Sequence, residues 1–381
     1  MKRVNFILAI ILLIITGCGE QKQSDSDLLT IDVTKSYPKK KIILQDFMYV
    51  EYIPLETTEN FLCQGYVLTV GRNIILVRNE NRDGDIFVFD RTGKGLRKIN
   101  HMGGGNEEYS FILGITLDEN NDEIFVSDPS GKILVYDLFG KFKRKFNYTE
   151  DGVYDKIYDF DKENLICDFR DKEGRRLLNV ISKKDGNIIK NIKIPVKQMK
   201  LPMMTIPRGE ISVSMVYKYN SIIPHQNNWI YTESSSDTIF RFLPDLSMSP
   251  FIVRTPSIQS MNLEIFLFPI MFTERYYFME SMKIERDDSN SGFPKTQLMY
   301  DIQEKKIFEY AFYNDDFSVE KPITTIRAAI NNEIAFLQKF EAYQLVESYK
   351  NGELKDGKLK EIASKLNEED NPVIMLVKYK K

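Results

Sequence analysis

Short runs of apolar residues, separated by polar turns, recur along the chain. The pattern is clearest in residues 85–99 and 132–146, where a run of bulky residues precedes an Asp-x-x-Gly-Lys turn and a second run. Bulky runs that flank a glycine-containing turn are typical of β-hairpins. Both segments are therefore predicted to fold as two antiparallel strands.

The hairpin pattern repeats with a period of about 40 to 50 residues, which is the spacing of β-propeller blades. Weaker copies occupy 177–194, 237–253 and 297–312, and apolar runs between the hairpins supply further strands. The predicted units are 61–99, 111–146, 157–194, 211–253 and 270–312. Four strands per unit favour an all-β fold, a six-bladed β-propeller whose sixth blade uses the remaining residues.

The sixth unit departs from the strand pattern. A strand is predicted to begin at Ile323, but from Asn332 the apolar residues take helical spacing. Three aromatic residues then fall on one helical face: Phe336, Phe340 and Tyr343. With a second helix expected from Lys358 to Leu366, the last blade is predicted to contain a short helical insertion over about 332–367.

A propeller closes its ring by pairing strands from the two ends of the chain in one blade. The apolar run at 373–379 is predicted to be the last strand. Its partner is expected within Ile31 to Leu55. The propeller would then occupy residues 30–381.

The first 17 residues have the three parts of a secretory signal peptide. Lys2 and Arg3 give a positive start, an apolar run follows from Phe6 to Ile15, and small residues precede Cys18. The apolar run is shorter than the about 20 residues of a membrane span. Residues 1–17 are therefore predicted to be a cleaved signal peptide.

The end of this segment resembles the bacterial lipobox, in which a diacylglyceryl group is attached to the cysteine and the chain is cut in front of it. The resemblance implies that Cys18 is lipidated and that residues 18–29 form a tether to the membrane. Gly19 does not supply an acidic retention signal, so the outer membrane of the cell envelope is preferred over the inner one. The alternative is a plain secreted protein with an incidental cysteine.

Composition and charge exclude some function classes. Removing Lys2 and Arg3 from the 52 basic residues leaves 50 against 55 acidic residues, a net charge near −5. An acidic net charge argues against a nucleic-acid partner. Cys63 and Cys167 lie in apolar runs, so buried free thiols are expected rather than a disulfide framework.

Three consecutive glycines, Gly103–Gly105, raise the question of a phosphate-binding loop. Counted from the first of them, the sixth position of a dinucleotide fingerprint holds Glu108 instead of glycine, and the Gly-Lys-Ser/Thr of a Walker loop is absent. The segment is therefore predicted to be a sharp crossing between blades. His101, Glu108 and Tyr109 are the ligand-binding candidates here. The alternative is that Glu108 caps backbone amides of the crossing and Tyr109 packs between blades.

The sequence offers little recognisable catalytic chemistry. His101 and His225 are the two histidines of the chain, too few for a histidine-rich metal site, and no cofactor or metal is predicted. Asp118–Asp122 begins like a calcium loop, but Glu123 stands where that loop requires glycine, so a plain turn is expected. A glycosidase that uses two carboxylates stays open, because sequence spacing cannot show two of them facing each other.

Three motifs carry a resemblance to a known family. They are Pro-Leu-Glu-Thr at 54–57, the Phe-Asp-x-x-Gly-Lys hairpin at 89–94, and the glycine corner with Glu108 and Tyr109. Together they resemble the six-bladed β-propeller lipoproteins, relatives of the NHL-repeat propellers, although Asn106 and Glu107 replace the Pro and Gly of the corner pattern. The resemblance implies a fold more than an activity, since many members have no assigned function.

Two functions from different classes are compatible with these observations. The first is a lipid-anchored, monomeric propeller that binds a carbohydrate, a peptide or an envelope protein. The second is a propeller hydrolase or lyase that acts on a glycan or peptide. Scattered rather than clustered carboxylates and histidines favour the binding module over the enzyme.

Overall fold

A computed structural model describes residues 28–79, 83–148, 152–208, 211–285, 292–323 and 331–380. Over this part of the chain, consecutive strands pair in antiparallel order and form successive small sheets. Six of these sheets are the blades of a six-bladed β-propeller, which confirms the predicted fold. Cys18 and the predicted signal peptide lie outside the described residues.

The elements follow the chain in order. The N-terminal segment contains β1 (Leu29–Asp32), β2 (Lys39–Ile43), α1 (Leu44–Phe47) and β3 (Met48–Pro54). Blade one contains β4 (Tyr66–Val70), β5 (Ile74–Arg78), β6 (Ile86–Asp90) and β7 (Gly95–Ile99). Blade two contains β8 (Gly114–Asp118), β9 (Glu123–Asp128), β10 (Lys132–Asp137) and β11 (Phe142–Asn147). Blade three contains β12 (Gly152–Asp159), β13 (Asn164–Asp171), β14 (Arg176–Ser182) and β15 (Ile188–Ile192).

The second half of the chain is less regular. A separate hairpin consists of β16 (Met203–Arg208) and β17 (Ile211–Val216). Blade four contains β18 (Ile222–His225), β19 (Asn228–Thr232), β20 (Thr238–Phe242) and β21 (Met248–Thr255). Blade five contains β22 (Ile265–Phe272), β23 (Tyr276–Lys283), β24 (Lys295–Asp301), β25 (Lys306–Tyr313) and the short β26 (Pro322–Ile323). Blade six contains β27 (Ile334–Phe340), α2 (Ala342–Lys350), α3 (Lys358–Ala363) and β28 (Val373–Tyr379).

The repeated Asp-x-x-Gly-Lys turns join the two outer strands of blades one and two. In the first, Asp90 Oδ1 accepts hydrogen bonds from the amides of Thr92 at 2.8 Å and Lys94 at 3.0 Å. Gly93 has a φ of +91°, and a Cβ there would lie 2.0 Å from the carbonyl oxygen of Pro54. The Asp caps the turn and the Gly permits its backbone, which explains why both recur in the sequence.

The core lies between the blades, because each blade buries both of its faces. In β5, Ile74 and Leu76 pack against blade two, whereas Ile75 and Val77 pack against blade six. Alternate residues of a strand point to opposite faces, so one continuous apolar run serves two interfaces. The apolar runs of the sequence therefore belong to strands that are covered on both sides.

Ring closure follows the prediction. The C-terminal strand β28 pairs antiparallel with β3, with Val373 opposite Pro54 and Tyr379 opposite Met48. The structure adds two pairings that the sequence did not indicate: β1 runs parallel to β21, and β2 runs parallel to β25. The N-terminal segment thus forms the outer edge of three consecutive blades and covers edges that would otherwise be unpaired.

The helical insertion begins later than predicted. Residues 334–340 form the strand β27, which pairs with β28, so the helix expected from Asn332 is wrong over this stretch. Phe336 and Phe340 are four residues apart, and this even spacing places them on one face of a strand as well as of a helix. The helices α2 and α3 follow from Ala342. The strand expected from Ile323 falls mainly on residues 324–330, outside the described part of the chain.

The fourth unit also begins later than predicted. Its expected start at 211 belongs to β17, which pairs with β16 and not with blade four. A hairpin inserted between two blades shares the strand pattern of its neighbours, so alternation alone did not separate them. Met204 and Met215 of this hairpin pack against a buried cluster that includes Phe266 and Phe268 of blade five.

Candidate functional site

A channel of about 950 Å³ runs along the axis of the propeller and is lined by the inner strands. We call its two ends the upper mouth, where the inner strands begin, and the lower mouth, where they end. Tyr66 lies at the start of β4, whereas Gly71 follows its end and contacts Leu117 and Glu119 at the end of β8. The inner strands of blades one and two therefore run in the same direction.

Three basic side chains of the channel wall lie toward the upper mouth: Arg78, Lys156 and Lys218. The Arg78 guanidinium stacks on the Tyr66 ring with its Cζ 4.7 Å from the ring centre. Lys218 belongs to the segment 217–220, which leads from the inserted hairpin into the channel. In the described part of the chain, none of the three basic groups forms an ion pair.

Lys156 is the most enclosed of these basic groups. Its Nζ donates to the carbonyl oxygen of Tyr219 at 2.7 Å and to Oδ1 of Asn220. Both acceptors are uncharged. Burial lowers the pKa of Lys156 to about 8, and the charge of Asp168 opposes that shift.

Behind Lys156, the wall of blade three holds a buried ion pair. Asp168 Oδ2 accepts hydrogen bonds from Arg176 Nη1 at 2.5 Å and from Ser221 Oγ at 2.7 Å. Asp155 is engaged by Arg170, with Nε 2.7 Å from Oδ2. These carboxylates are already neutralised by arginines, so they are poor partners for Lys156.

Aromatic rings line the channel in two groups. Near the upper mouth, the rings of Tyr217 and Tyr219 stack on Phe268 with centres 5.3 Å and 4.4 Å apart. Nearer the lower mouth, Tyr158 and Phe160 contact Trp229 at 5.9 Å and 6.1 Å. Trp229 is the single tryptophan of the chain.

Uncharged hydrogen-bonding groups also line the channel. Among the described residues, the asparagines in its wall are Asn120, Asn220, Asn227, Asn331 and Asn332. The Tyr158 hydroxyl is buried and has no hydrogen-bond partner among the described residues. The Tyr158 residue lines the channel, but its hydroxyl oxygen is closed to solvent, so a ligand supplies the missing hydrogen bond only if the side chain turns toward the channel.

Among the described residues, the carboxylates that line the channel lie at its lower mouth and already have partners. Glu119 accepts from the amide of Asn73 at 2.8 Å and lies 3.6 Å from Arg72 Nε. Asp159 Oδ1 lies 2.5 Å from Lys183 Nζ, and burial raises the pKa of Asp159. The third, Glu333, lies 3.7 Å from Arg91 and 3.5 Å from Lys378.

The predicted ligand candidates come together at the glycine corner, but none of them lines the channel. The Tyr109 ring is fully buried between blades one and two, and its hydroxyl donates to Gly84 O at 2.6 Å and accepts from the His101 amide at 3.1 Å. The Glu108 Oε2 atom accepts from the Gly105 amide at 2.7 Å. The alternative of an amide cap and an inter-blade tyrosine is therefore confirmed. Ligand binding by these residues stays a prediction.

The two histidines lie apart from each other. The His101 ring stacks on Tyr136, with centres 4.7 Å apart, and its Nε2 lies 2.6 Å from Gly140 O. His225 is buried in blade four, where burial and the nearby Arg241 charge lower its pKa to about 4. Neither histidine lines the channel.

The remaining sequence candidates are structural. Asp118–Asp122 forms the turn between β8 and β9, as predicted, and Asp118 accepts from Asn121 and Lys183. Cys63 and Cys167 are free and buried, and burial raises the pKa of the Cys63 thiol to about 11. Among the described residues, His, Cys, Asp and Glu side chains form no group of three placed to hold a metal ion.

A family comparison covers nearly the whole described chain. A family model described as a domain of unknown function, DUF4934, matches residues 28–378. The chain belongs to the DUF4934 family. A search of curated protein sequences finds no match.

Comparison with solved structures finds chains that resemble this DUF4934 chain over most of its length. A candidate exported protein from Bacteroides fragilis NCTC 9343 has a TM-score of 0.58 at 17% identity, with 90% of this chain and 100% of that chain covered. Virginiamycin B lyase from Staphylococcus aureus has a TM-score of 0.41 at 10% identity, covering 87% of this chain and 100% of that chain. At these identities the likeness concerns the fold alone.

Sequence reasoning missed the channel residues of this DUF4934 propeller. A channel is assembled from the first strand of each blade, and those strands are far apart in the sequence. One available signal was the asparagine-containing turns after the inner strands, at Asn73, Asn120 and Asn227. Another was the lone tryptophan beside Asn227 and Asn228.

Proposed function

We propose that the chain is a saccharide-binding propeller of the bacterial cell envelope, and that the ligand enters the central channel. The carrying observation is the lining of that channel, which combines two groups of aromatic rings with asparagine side chains. Aromatic rings stack on the apolar faces of sugars, and amides exchange hydrogen bonds with sugar hydroxyls. A peptide or an envelope protein is the alternative occupant that the experiment below distinguishes.

Binding is favoured over catalysis by the state of the channel carboxylates. Glycoside hydrolysis needs two carboxyl groups that face the scissile bond, one of them protonated and one free to act as base or nucleophile. Glu119, Asp159 and Glu333 are each held by a basic side chain at the lower mouth. Groups engaged in this way serve the scaffold better than proton transfer.

The proposal is tested by screening residues 28–381, the part that carries the propeller, against arrays of glycans and of envelope-derived peptides. Trp229→Leu should weaken saccharide binding by about tenfold or more, because stacking on a ring contributes on the order of 1–3 kcal/mol. The matched control is Tyr343→Leu, which removes a half-exposed ring on α2, outside the channel. Equal affinities of the two variants, or binding of peptides alone, would contradict the proposal.

We further propose that Cys18 carries a lipid that holds the propeller at the outer membrane. This rests on the sequence of residues 1–18. In the described part of the chain, no helix is long and apolar enough to cross a bilayer. A similar fold in a candidate exported Bacteroides protein is compatible with this location. Cys18→Ser should abolish incorporation of a fatty-acid label and release the protein from the membrane fraction; continued labelling would overturn the assignment.

A further inference from the structure

We infer that the saccharide bound in the channel is anionic, and that its carboxylate or sulfate groups lie at the upper mouth against Arg78, Lys156 and Lys218. The inference rests on the proposed function, because it names the class of ligand for the same channel. It goes further by giving the channel a direction, with an anionic part of the ligand at one end and a neutral part at the other.

The charges of the channel are separated between its two ends. At the lower mouth, each of the three carboxylates lies within 4 Å of a basic side chain, so that end is locally neutralised. At the upper mouth, the three basic groups have no carboxylate partner among the described residues. A ligand anion there would meet basic groups that form no direct ion pair among the described residues, inside a concave wall where electrostatic attraction is strongest.

Lys156 is placed to make the central contact. Its ammonium group is partly enclosed and held by two neutral oxygen acceptors, those of Tyr219 and Asn220. An ammonium group has three donors, so this arrangement leaves one for a ligand oxygen. The nearby Asp168 is already occupied by Arg176 and Ser221.

Arg78 faces the channel from blade one. The Tyr66 ring supports one face of its guanidinium, and its Nε has no hydrogen-bond partner in the described part of the chain. Two aspartates line the small cavity beside it, but Asp85 pairs with Lys98 at 3.1 Å and Asp83 accepts from Asn79 at 2.8 Å. A planar guanidinium without an ion-pair partner among the described residues suits the paired oxygens of a carboxylate or sulfate group.

Charge and aromatic rings together decide the ligand class. Anion recognition alone would suit many small ions, but the channel continues past Lys156 to the rings of Phe160 and Trp229. An acidic oligosaccharide satisfies both ends, since a charged unit can lie at the upper mouth while a neutral unit stacks on Trp229. Carboxylates and sulfates share the relevant chemistry, so both belong in the test.

The test uses matched acidic and neutral saccharides with the purified protein. The probes are hyaluronan and polygalacturonate oligosaccharides, each beside its neutral carboxyl-reduced form, and chondroitin sulfate oligosaccharides beside the carboxyl-reduced form, the desulfated form and the neutral form with both changes; affinities are measured by calorimetry. We expect the tightest binder to be acidic and to lose at least about tenfold in affinity when its charge is removed. The carboxyl-reduced and desulfated forms separate a carboxylate contact from a sulfate contact.

The outcomes distinguish this inference from the proposed function. Acidic and neutral partners that bind within about twofold of each other would overturn the inference and leave saccharide binding intact. A neutral saccharide as the tightest binder would do the same. If no saccharide binds, the proposed function fails and the inference fails with it.

Variants then locate the contact. Lys156→Gln should lower the affinity for the acidic probe by about tenfold or more. Lys218→Gln should lower it by about threefold, because Lys218 is exposed and its screened charge contributes less. Arg72→Gln is the matched control, because Arg72 also lines the channel but is already paired with Glu119. Lys156→Arg should restore most of the affinity. An Arg72 variant as weak as the Lys156 variant would contradict the upper-mouth location, and unchanged melting temperatures show that the variants are folded.

The pH dependence gives a second readout that a purely structural role would not change. The charged groups that face Lys156 are Asp155, Asp168, Arg176 and Lys218. Because the free protein loses the Lys156 proton near pH 8, affinity for the acidic probe should fall between pH 7 and pH 9. The neutral probe and the Lys156→Gln variant should not show this fall; an equal fall in the variant would overturn the contact.

Discussion

The glycine corner and the central channel contain similar residue types in opposite states. At the corner, the Tyr109 hydroxyl both donates and accepts a hydrogen bond, and the Glu108 carboxylate caps a backbone amide. In the channel, the buried Tyr158 hydroxyl has no such partner among the described residues. The difference shows that a residue's type indicates what chemistry it can do, whereas its partners decide whether that chemistry is available to a ligand.

Two lysines extend the same comparison. Lys183 is buried and joins two blades, with its Nζ 2.6 Å from Asp118 and 2.5 Å from Asp159. Burial opposes ionisation of Asp118, but the hydrogen bonds from Lys183 and Asn121 outweigh it, so the pKa of Asp118 is lowered. Lys156 lies on β12 of blade three, and its ammonium group donates hydrogen bonds to two neutral oxygens. Lys183 is therefore assigned to the scaffold and Lys156 to the site.

The largest expected effect tests this pair of lysines. Lys183→Met leaves the buried Asp118 and the partly exposed Asp159 without their shared cation, and breaking the buried Lys183–Asp118 pair costs about 3–5 kcal/mol in the free energy of unfolding. Lys156→Met removes hydrogen bonds to neutral acceptors and should cost about 1 kcal/mol. Urea denaturation at pH 7 measures both changes. Equal losses would remove the distinction between the scaffold lysine and the channel lysine.

His225 gives the next largest effect, as a function of pH. Its pKa falls from an ordinary value of 6.5 to about 4 in the folded state. The unfolded chain therefore binds the proton more readily than the folded protein. The free energy of unfolding is unaffected by this group above pH 6.5, and it falls by about 3 kcal/mol as the pH is lowered toward 4. Comparison with His225→Phe isolates this contribution, since the variant should lack that part of the loss. Parallel stability curves for the two proteins would contradict the assignment.

The two tyrosines give a smaller and more selective contrast. Tyr109→Phe leaves Gly84 O and the His101 amide without their buried partner, at a cost of about 1–3 kcal/mol. Tyr158→Phe removes no hydrogen bond that the structure shows, so the stability should change by less than about 0.5 kcal/mol. The affinity for the saccharide should fall more in Tyr158→Phe than in Tyr109→Phe. A Tyr158 variant that binds normally would show that this hydroxyl does not meet the ligand.

How far the sequence predicted the molecule follows from the range of the interactions involved. The hairpins at Asp90 and Asp137 were predictable because their turn chemistry is local. Ring closure by β28 and β3 was predictable from the geometry of a closed propeller. The parallel additions of β1 and β2 were not, because their partners lie more than 200 residues away and carry no turn signal.

The candidate site was harder to predict than the fold. The corner was noticed because its glycines stand together in the sequence, yet its polar groups are used within the corner. The channel residues Arg78, Lys156 and Trp229 come from three different blades. Their proximity depends on the closed ring, and their availability depends on which partners the fold provides.

The smallest expected effect concerns the corner. Glu108→Gln keeps an oxygen that can accept from the Gly105 amide, so the free energy of unfolding should change by less than about 0.5 kcal/mol and saccharide affinity should not change. Calorimetric titration with the tightest saccharide, beside a melting curve, checks both values. Lost binding with an unchanged melting temperature would return the corner to the ligand site.

Trp229 allows the most direct test of saccharide binding in the channel. It is the single tryptophan of the chain and lies in the channel wall beside Phe160, so tryptophan emission reports on this site alone. Titration with the tightest saccharide should shift the emission in a saturable way, with the same dissociation constant as calorimetry. Calorimetric binding that leaves the Trp229 emission unchanged would place the ligand elsewhere and contradict the proposed function of the channel.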